Sequence, residues 1–276
     1  MQSDNISAAS EILLIHGAWQ GSWSWAALLP QLDARGWRCH AIDLPGNGSD
    51  ATASAQVTLD LYVAHVARVL DRLEKPAVVV AHSGGGVIAS QLAEARPQQV
   101  AALVYVAGMM LPDGLPFARL IDDIAPTHPA ARGVGPHLEW SPDRLASRVP
   151  APVARDFFFH DCTIAAANAA IAKLTAQPEG GRAVAPRLSA ANYGRVPRAY
   201  IETTRDRSVL PVVQQRMLTL SPGAQHARID SGHVPQLTEP AQLAGLIEEL
   251  IAEMRIASPS ANARAAPRDA AFAAAH

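Results

Sequence analysis

Residues 77–86 read Ala-Val-Val-Val-Ala-His-Ser-Gly-Gly-Gly. Three valines with no polar break are the composition of a strand buried on both faces. The run passes without a linker into a serine and three glycines, and residues 84–96 then read as a helix. A chain that turns from buried strand to helix across one serine must hold that serine in strained dihedrals. The residues two before and two after it have to be small. Ala81 and Gly85 meet the demand, although alanine stands where glycine is usual. The other reading of this segment is a phosphate-binding turn at a helix N-terminus. It lacks both a lysine and G-x-G-x-x-G spacing.

The rest of the chain repeats the rhythm. Apolar runs at 12–15, 37–44, 77–81, 101–106, 199–203 and 227–229 read as strands. Helical stretches are expected at 23–35, 59–73, 84–96, 210–220 and 239–256. Repeated strand–helix–strand order predicts an α/β fold, a mostly parallel sheet flanked by helices. Residues 109–195 break the pattern: they are rich in Pro and Ala, with short helical pieces and no clear buried strand. An insertion of that length between strands is usually functional. It reads as a mainly helical cap over the sheet's C-terminal edge, where open α/β folds bind ligands. The expected organisation is a core of 11–108 and 196–256, a cap at 109–195 and a mobile tail at 257–276.

Composition removes several classes. Hydrophobic residues make up 49% and charged residues 17%, enough for a full core and too little charge for a disordered chain. A formal net charge of −2 carries no basic surplus for nucleic acid. The longest apolar stretch, 100–111, is short of the ~20 residues a membrane span needs. The first ten residues show no secretory signal, and two cysteines make neither a disulfide framework nor a zinc site. A soluble, cytoplasmic protein is expected.

Ser83 at such a turn is a nucleophile, which requires a base and an acid to orient it, in the chain order Ser, Asp or Glu, His. Of the 10 histidines, His233 alone sits in a loop after the final short strand, in Asp-Ser-Gly-His-Val-Pro. His226 is expected before that strand, at the wrong edge of the sheet, and His128, His137 and His160 fall in the cap. Asp206 follows the strand at 199–203, and Asp113 is the alternative acid. Acyl transfer also needs an oxyanion hole. His16-Gly17-Ala18-Trp19 follows the first strand, so the backbone N–H groups of Ala18 and Gly84 are the expected donors, with His16 supporting the loop. The chemistry expected of this set needs no metal and no cofactor.

Together, HGAWQGSWSW, AIDLPGNG, AHSGGG, YIETTRDRSV and DSGHVPQLTEP resemble the α/β-hydrolase superfamily. More narrowly they resemble the branch of plant methyl-ester esterases and hydroxynitrile lyases, with their bacterial carboxylesterase relatives, including pyrethroid hydrolases. Hydroxynitrile lyases carry threonine and lysine where this chain has Gly17 and Val234, so the resemblance implies an esterase. Haloalkane dehalogenases and epoxide hydrolases use aspartate at the position of Ser83. The implied partner is a small hydrophobic ester. The expected pocket is apolar, formed by Trp19, Met109, Leu111, Phe157, Phe158, Phe159, Val209 and Leu210. Lactone, amide or C–C bond hydrolysis on the same triad, or a non-catalytic binding protein on the fold, are the other readings of these residues.

Overall fold

The computed structural model describes residues 9–257. Six strands form one sheet: β1 (Glu11–Ile15), β2 (Arg38–Ile42), β3 (Ala77–His82), β4 (Val100–Val106), β8 (Arg198–Thr203) and β9 (Gln225–Ile229). Their order is β2-β1-β3-β4-β8-β9, and every neighbouring pair is parallel. The intervening labels belong to three short strands of the insertion: β5 (Glu139–Trp140), β6 (Ala146–Arg148) and β7 (Gln177–Pro178). These form a separate antiparallel sheet.

The period-two geometry of a strand divides the core between two faces. Leu13, Ile15, Val79, Ala81, Leu103 and Tyr105 point to one side. Ile12, Leu14, Val78, Val80, Ala102, Val104 and Val106 point to the other. The first face is covered by α2 (Leu59–Leu70), α3 (Gly85–Ala95) and α7 (Pro211–Leu220), through Tyr62, Val66, Leu70, Leu92 and Met217. The second is covered by α1 (Leu29–Asp33) and α9 (Pro240–Ala257). There Leu243, Ile247, Leu250, Ile251 and Met254 keep one helical stripe on the sheet.

The helix expected at 23–35 is instead a 3-10 turn, Ser22–Trp25, followed by the short α1. Pro30 lies in the first turn of α1, where a proline's missing N–H costs nothing, whereas inside a longer helix it would break the ladder. The insertion contains α4 (Phe117–Ile124), α5 (Ala151–Phe157) and α6 (Ile164–Ile171) beside β5–β7. A short α8 (Pro235–Thr238) precedes α9. Apart from Ala257, the expected tail lies outside the described residues. No helix among the described residues is long and apolar enough to cross a membrane.

The strand order fixes where a ligand can enter. From β1 the chain steps to β2 on one side, then returns past β1 to β3 on the other. The crevice beyond the C-terminal ends of β1 and β3 is the switch point at which open α/β sheets bind ligands. The loop after Ile15 and the turn after His82 face each other there.

Candidate active site

Ser83 sits between β3 and α3 with φ +49, in the left-handed region that costs a non-glycine residue about 1–3 kcal/mol. The turn is held by its own backbone. Ser83 N–H donates to Val106 O (3.2 Å), and Ser83 O accepts from Gly86 N (3.0 Å) and Met109 N (2.8 Å). The glycines answer crowding. A Cβ at Gly85 would lie 2.6 Å from His16 O, and one at Gly86 would lie 2.6 Å from Met109 N.

His233 Nε2 lies 3.1 Å from Ser83 Oγ, and its Nδ1 lies 2.8 Å from Asp206 Oδ2. The three residues, distant in sequence, are all buried. Asp206 is an acceptor only, so Nδ1 carries the proton and the Nε2 lone pair faces the serine hydroxyl. The carboxylate is itself fixed: Oδ1 accepts from Ser208 N (2.7 Å) and Val209 N (2.9 Å), and Oδ2 accepts from Thr203 Oγ1 (2.9 Å). Asp113 is exposed and accepts from Leu188 N, away from the imidazole. His226, expected before the last strand, lies within β9, which begins two residues earlier than expected, and pairs with Glu202 on β8.

Sequence reasoning missed the supports of His233. The His82 ring donates from Nε2 to His233 O (2.7 Å), and the two rings are 4.7 Å apart. Burial, and then the neighbouring His233, push the pKa of His82 well below its ordinary value, so it is neutral. Phe158, from the insertion, stacks on the His233 ring (centroids 5.4 Å apart, planes at 29°) and on the Trp19 ring (5.8 Å, 28°).

The Ala18 and Gly84 N–H groups have no acceptor among the described residues. They are neighbours, since a Cβ on Gly84 would lie 3.6 Å from Ala18 N. Burial lowers the pKa of His16 to about 4, so its ring is neutral. Its Nδ1–H donates to Gly17 O (2.8 Å) and its Nε2 accepts from Leu44 N (3.2 Å), which pins the start of this loop. A Cβ at Gly17 would lie 2.7 Å from His82 Nδ1, so the loop as built has no room for a threonine there. Trp19, at φ +62, is tied to the insertion. Its N–H donates to Gln177 Oε1 (3.0 Å) and its indole Nε1–H to Ser147 Oγ (3.1 Å). Ser147 donates in turn to Glu179, which accepts from Arg182 Nε (3.0 Å) and Nη2 (2.6 Å).

A cavity of about 490 Å³ opens over Ser83. Trp19, Met109 and Val209 line it, as do Phe117, Ile121, Val134, Leu138 and Trp140. The other expected pocket residues lie elsewhere, which corrects the sequence reading. Leu111 is fully buried in the core between sheet and helices. Phe158 and Phe159 pack with Ala154, Ala167 and Ala170 of the insertion, and with Trp19 and Val234 outside it, in a third cluster. Phe157 lies against His137, and Leu210 caps the start of α7. The signal for the true wall was the 117, 120, 121, 124 spacing of Phe, Leu, Ile and Ile on α4. Four charged side chains also line the cavity, and they are paired: Asp122 with Arg132 (3.5 Å) and Glu179 with Arg182.

Three curated relatives align along most of their length. Norfluorocurarine synthase 1 from a Strychnos species is 28% identical, covering 91% of this chain and 98% of its own. A pyrethroid hydrolase from Sphingobium wenxiniae is 28% identical, covering 87% of each. Methylesterase 7 from Arabidopsis thaliana is 28% identical, covering 87% of this chain and 95% of its own. Among solved structures, a pyrethroid hydrolase from Sphingobium faniae JZ-2 superposes with a TM-score of 0.79 at 25% identity, covering 89% of this chain and 98% of that one. Polyneuridine aldehyde esterase shares the fold with a TM-score of 0.78 at 21% identity, covering 88% and 99%. The family model described as the alpha/beta hydrolase family matches residues 12–246, spanning the serine turn, the acid and the histidine loop, and the chain belongs to that family.

Proposed function

We propose that the chain is a serine carboxylesterase acting on neutral, hydrophobic carboxylic esters. The observation that carries the reading is the hydrogen-bonded series Ser83–His233–Asp206 beside two backbone amides with no acceptor among the described residues. Ser83 Oγ attacks the ester carbonyl as its proton passes to His233 Nε2. Asp206, acceptor at Nδ1, holds the ring and stabilises the imidazolium. The Ala18 and Gly84 N–H groups receive the oxyanion, and losing one such donor typically costs ~3–4 kcal/mol of transition-state stabilisation. His233 returns the proton to the leaving alcohol, then activates the water that cleaves the acyl-enzyme.

The proposed substrate class follows from the cavity. A volume of about 490 Å³ suits a drug-sized molecule. Its walls are mainly apolar, and its four charges cancel in two ion pairs, which favours neutral over phosphorylated or CoA esters. Likeness to a pyrethroid hydrolase supports bulky pyrethroid-type esters. In this reading residues 109–195 act as a cap on a core of 11–108 and 196–256. Cys39 and Cys162, both free thiols, fit a cytoplasmic setting.

The test is a panel of chromogenic esters graded by acid and alcohol size. Turnover is expected, rising with hydrophobic bulk until the cavity is filled. Ser83→Ala should lose at least ~10³-fold in kcat while staying folded. A folded wild-type protein that turns over none of the panel sinks the reading.

A further inference from the structure

The loop carrying His233 is short, and three of its backbone groups are held from different directions. Arg205 N–H donates to Ser231 O (3.0 Å), and His82 donates to His233 O (2.7 Å); both come from the sheet side. The third group, Gly232 N–H, donates to Asp161 Oδ2 of the insertion at 2.5 Å. Asp161 belongs to the insertion, two residues after the end of the phenylalanine run. The contact depends on the glycine, because a Cβ at 232 would lie 2.6 Å from Asp161 Oδ1.

Stability alone gives a poor account of this carboxylate. Its side chain is only 7% exposed, and burying a carboxylate is costly unless it is well paired. Its partners through Oδ2 are Gly232 N–H, the Ser231 hydroxyl at 3.4 Å and Arg205 Nη2 at 3.9 Å. Its other oxygen, Oδ1, is buried with no hydrogen-bond partner among the described residues. Arg205 is mainly engaged with Asp230 (2.9 Å). A group that is half satisfied, yet makes a short charge-assisted bond next to the base, is better explained by what it holds in place. Three residues earlier on the same segment, Phe158 stacks on the His233 ring. One stretch of the insertion therefore grips both the imidazole and the backbone that carries it.

We propose that Asp161 is a positioning residue for the base: its bond to Gly232 N–H keeps His233 Nε2 in reach of Ser83 Oγ. The proposal rests on the esterase reading above. Without the bond the loop keeps its two sheet-side ties but can rock about them. A misplacement of about 1 Å at a reacting group costs on the order of 10²-fold in rate.

Asp161→Ala is expected to lower kcat roughly 10- to 100-fold with KM nearly unchanged. The second-order rate of Ser83 labelling by a fluorophosphonate should fall in step, because labelling also needs the base. Asp161→Asn keeps an acceptor oxygen and should recover kcat to within about threefold of wild type. Asp161→Ser keeps a polar group but draws it back from Gly232, and should behave like Ala; it serves if the Ala variant does not fold. Unchanged kcat in the Ala or Ser variant, a loss confined to KM, or an Asn variant as slow as Ala overturns the assignment. A wild type inert to esters and fluorophosphonate overturns the esterase reading, and this assignment with it. Labelling of wild type and Asp161→Ala at equal rates overturns Asp161 alone.

Discussion

Two histidines with rings 4.7 Å apart occupy the centre of the site, and their surroundings give them opposite tasks. His233 has a carboxylate on one nitrogen and a serine hydroxyl on the other, the placement that the proposed base requires. His82 is fully buried, faces the Gln20 side-chain amide through Nδ1 and donates from Nε2 to a carbonyl. Its work is to stay neutral and hold the loop. If Asp206 fixes the tautomer of His233, Asp206→Asn should lower kcat/KM by about 10⁴-fold. Asp113→Asn and His226→Ala should stay within about twofold of wild type, since Asp113 bonds Leu188 N and His226 pairs with Glu202. Steady-state kinetics on one ester decides this, and comparable losses in all three would undo the assignment. The grouping of Ser83, Asp206 and His233, the proposed triad, is legible in chain order because each follows the end of a strand. Asp161 and His82 could not: each bonds to a backbone group, and no side-chain identity at the receiving end signals the contact.

Among the elements, the strands were legible to within one or two residues, because β1, β3 and β4 are uninterrupted apolar runs buried on both faces. The insertion was legible only as an interruption. Strands β5 and β7 have two residues each and β6 has three, too short for alternation to register. The Phe157–Phe159 run misled for a related reason. Three adjacent aromatics cannot share one face of a helix, and α5 ends at Phe157, so the next two rings turn into the cluster that joins the insertion to Trp19 and Val234. The glycines separate local geometry from mere permissiveness. Gly85→Ala puts a methyl group 2.6 Å from His16 O, and should cost upwards of ~2 kcal/mol and most of the activity by moving the oxyanion loop. Gly245→Ala on α9 meets nothing within 4 Å, and should stabilise by ~1 kcal/mol through helix propensity with activity unchanged. Urea midpoints for the pair test this; equal shifts would show that crowding at Gly85 is not what matters.

For the molecule as a whole, buried neutral histidines set its tolerance of acid. His16 has a pKa of about 4 when folded and near 6.5 when unfolded, and burial shifts His82 in the same direction. As pH falls below about 6.5 the unfolded chain binds protons that the folded one refuses, so stability drops until His16 itself protonates near pH 4. The His16 share alone is about 2 kcal/mol between pH 7 and pH 5. Asp43 does not compete in that window. Burial raises its pKa, but bonds from Ser49 and Ser22 outweigh this and hold it at about 2, so its contribution is lost only at lower pH. Unfolding free energies from urea titrations should fall accordingly, and by less in His16→Asn; equal values at pH 7 and pH 5 would contradict this. The ties on Trp19 bear on how such a protein diversifies. Its main-chain N–H is held by Gln177 and its indole by Ser147, both from the insertion, while the neighbouring amide of Ala18 lies beside Gly84. The segment that shapes the cavity is thus also the scaffold of the loop beneath it. A foreign segment grafted between β4 and β8 to change selectivity would have to supply counterparts of Ser147 and Gln177, or the recipient would inherit a new cavity above a slackened loop. Selectivity in this architecture is better altered by substitutions along α4 than by exchange of the insertion as a module.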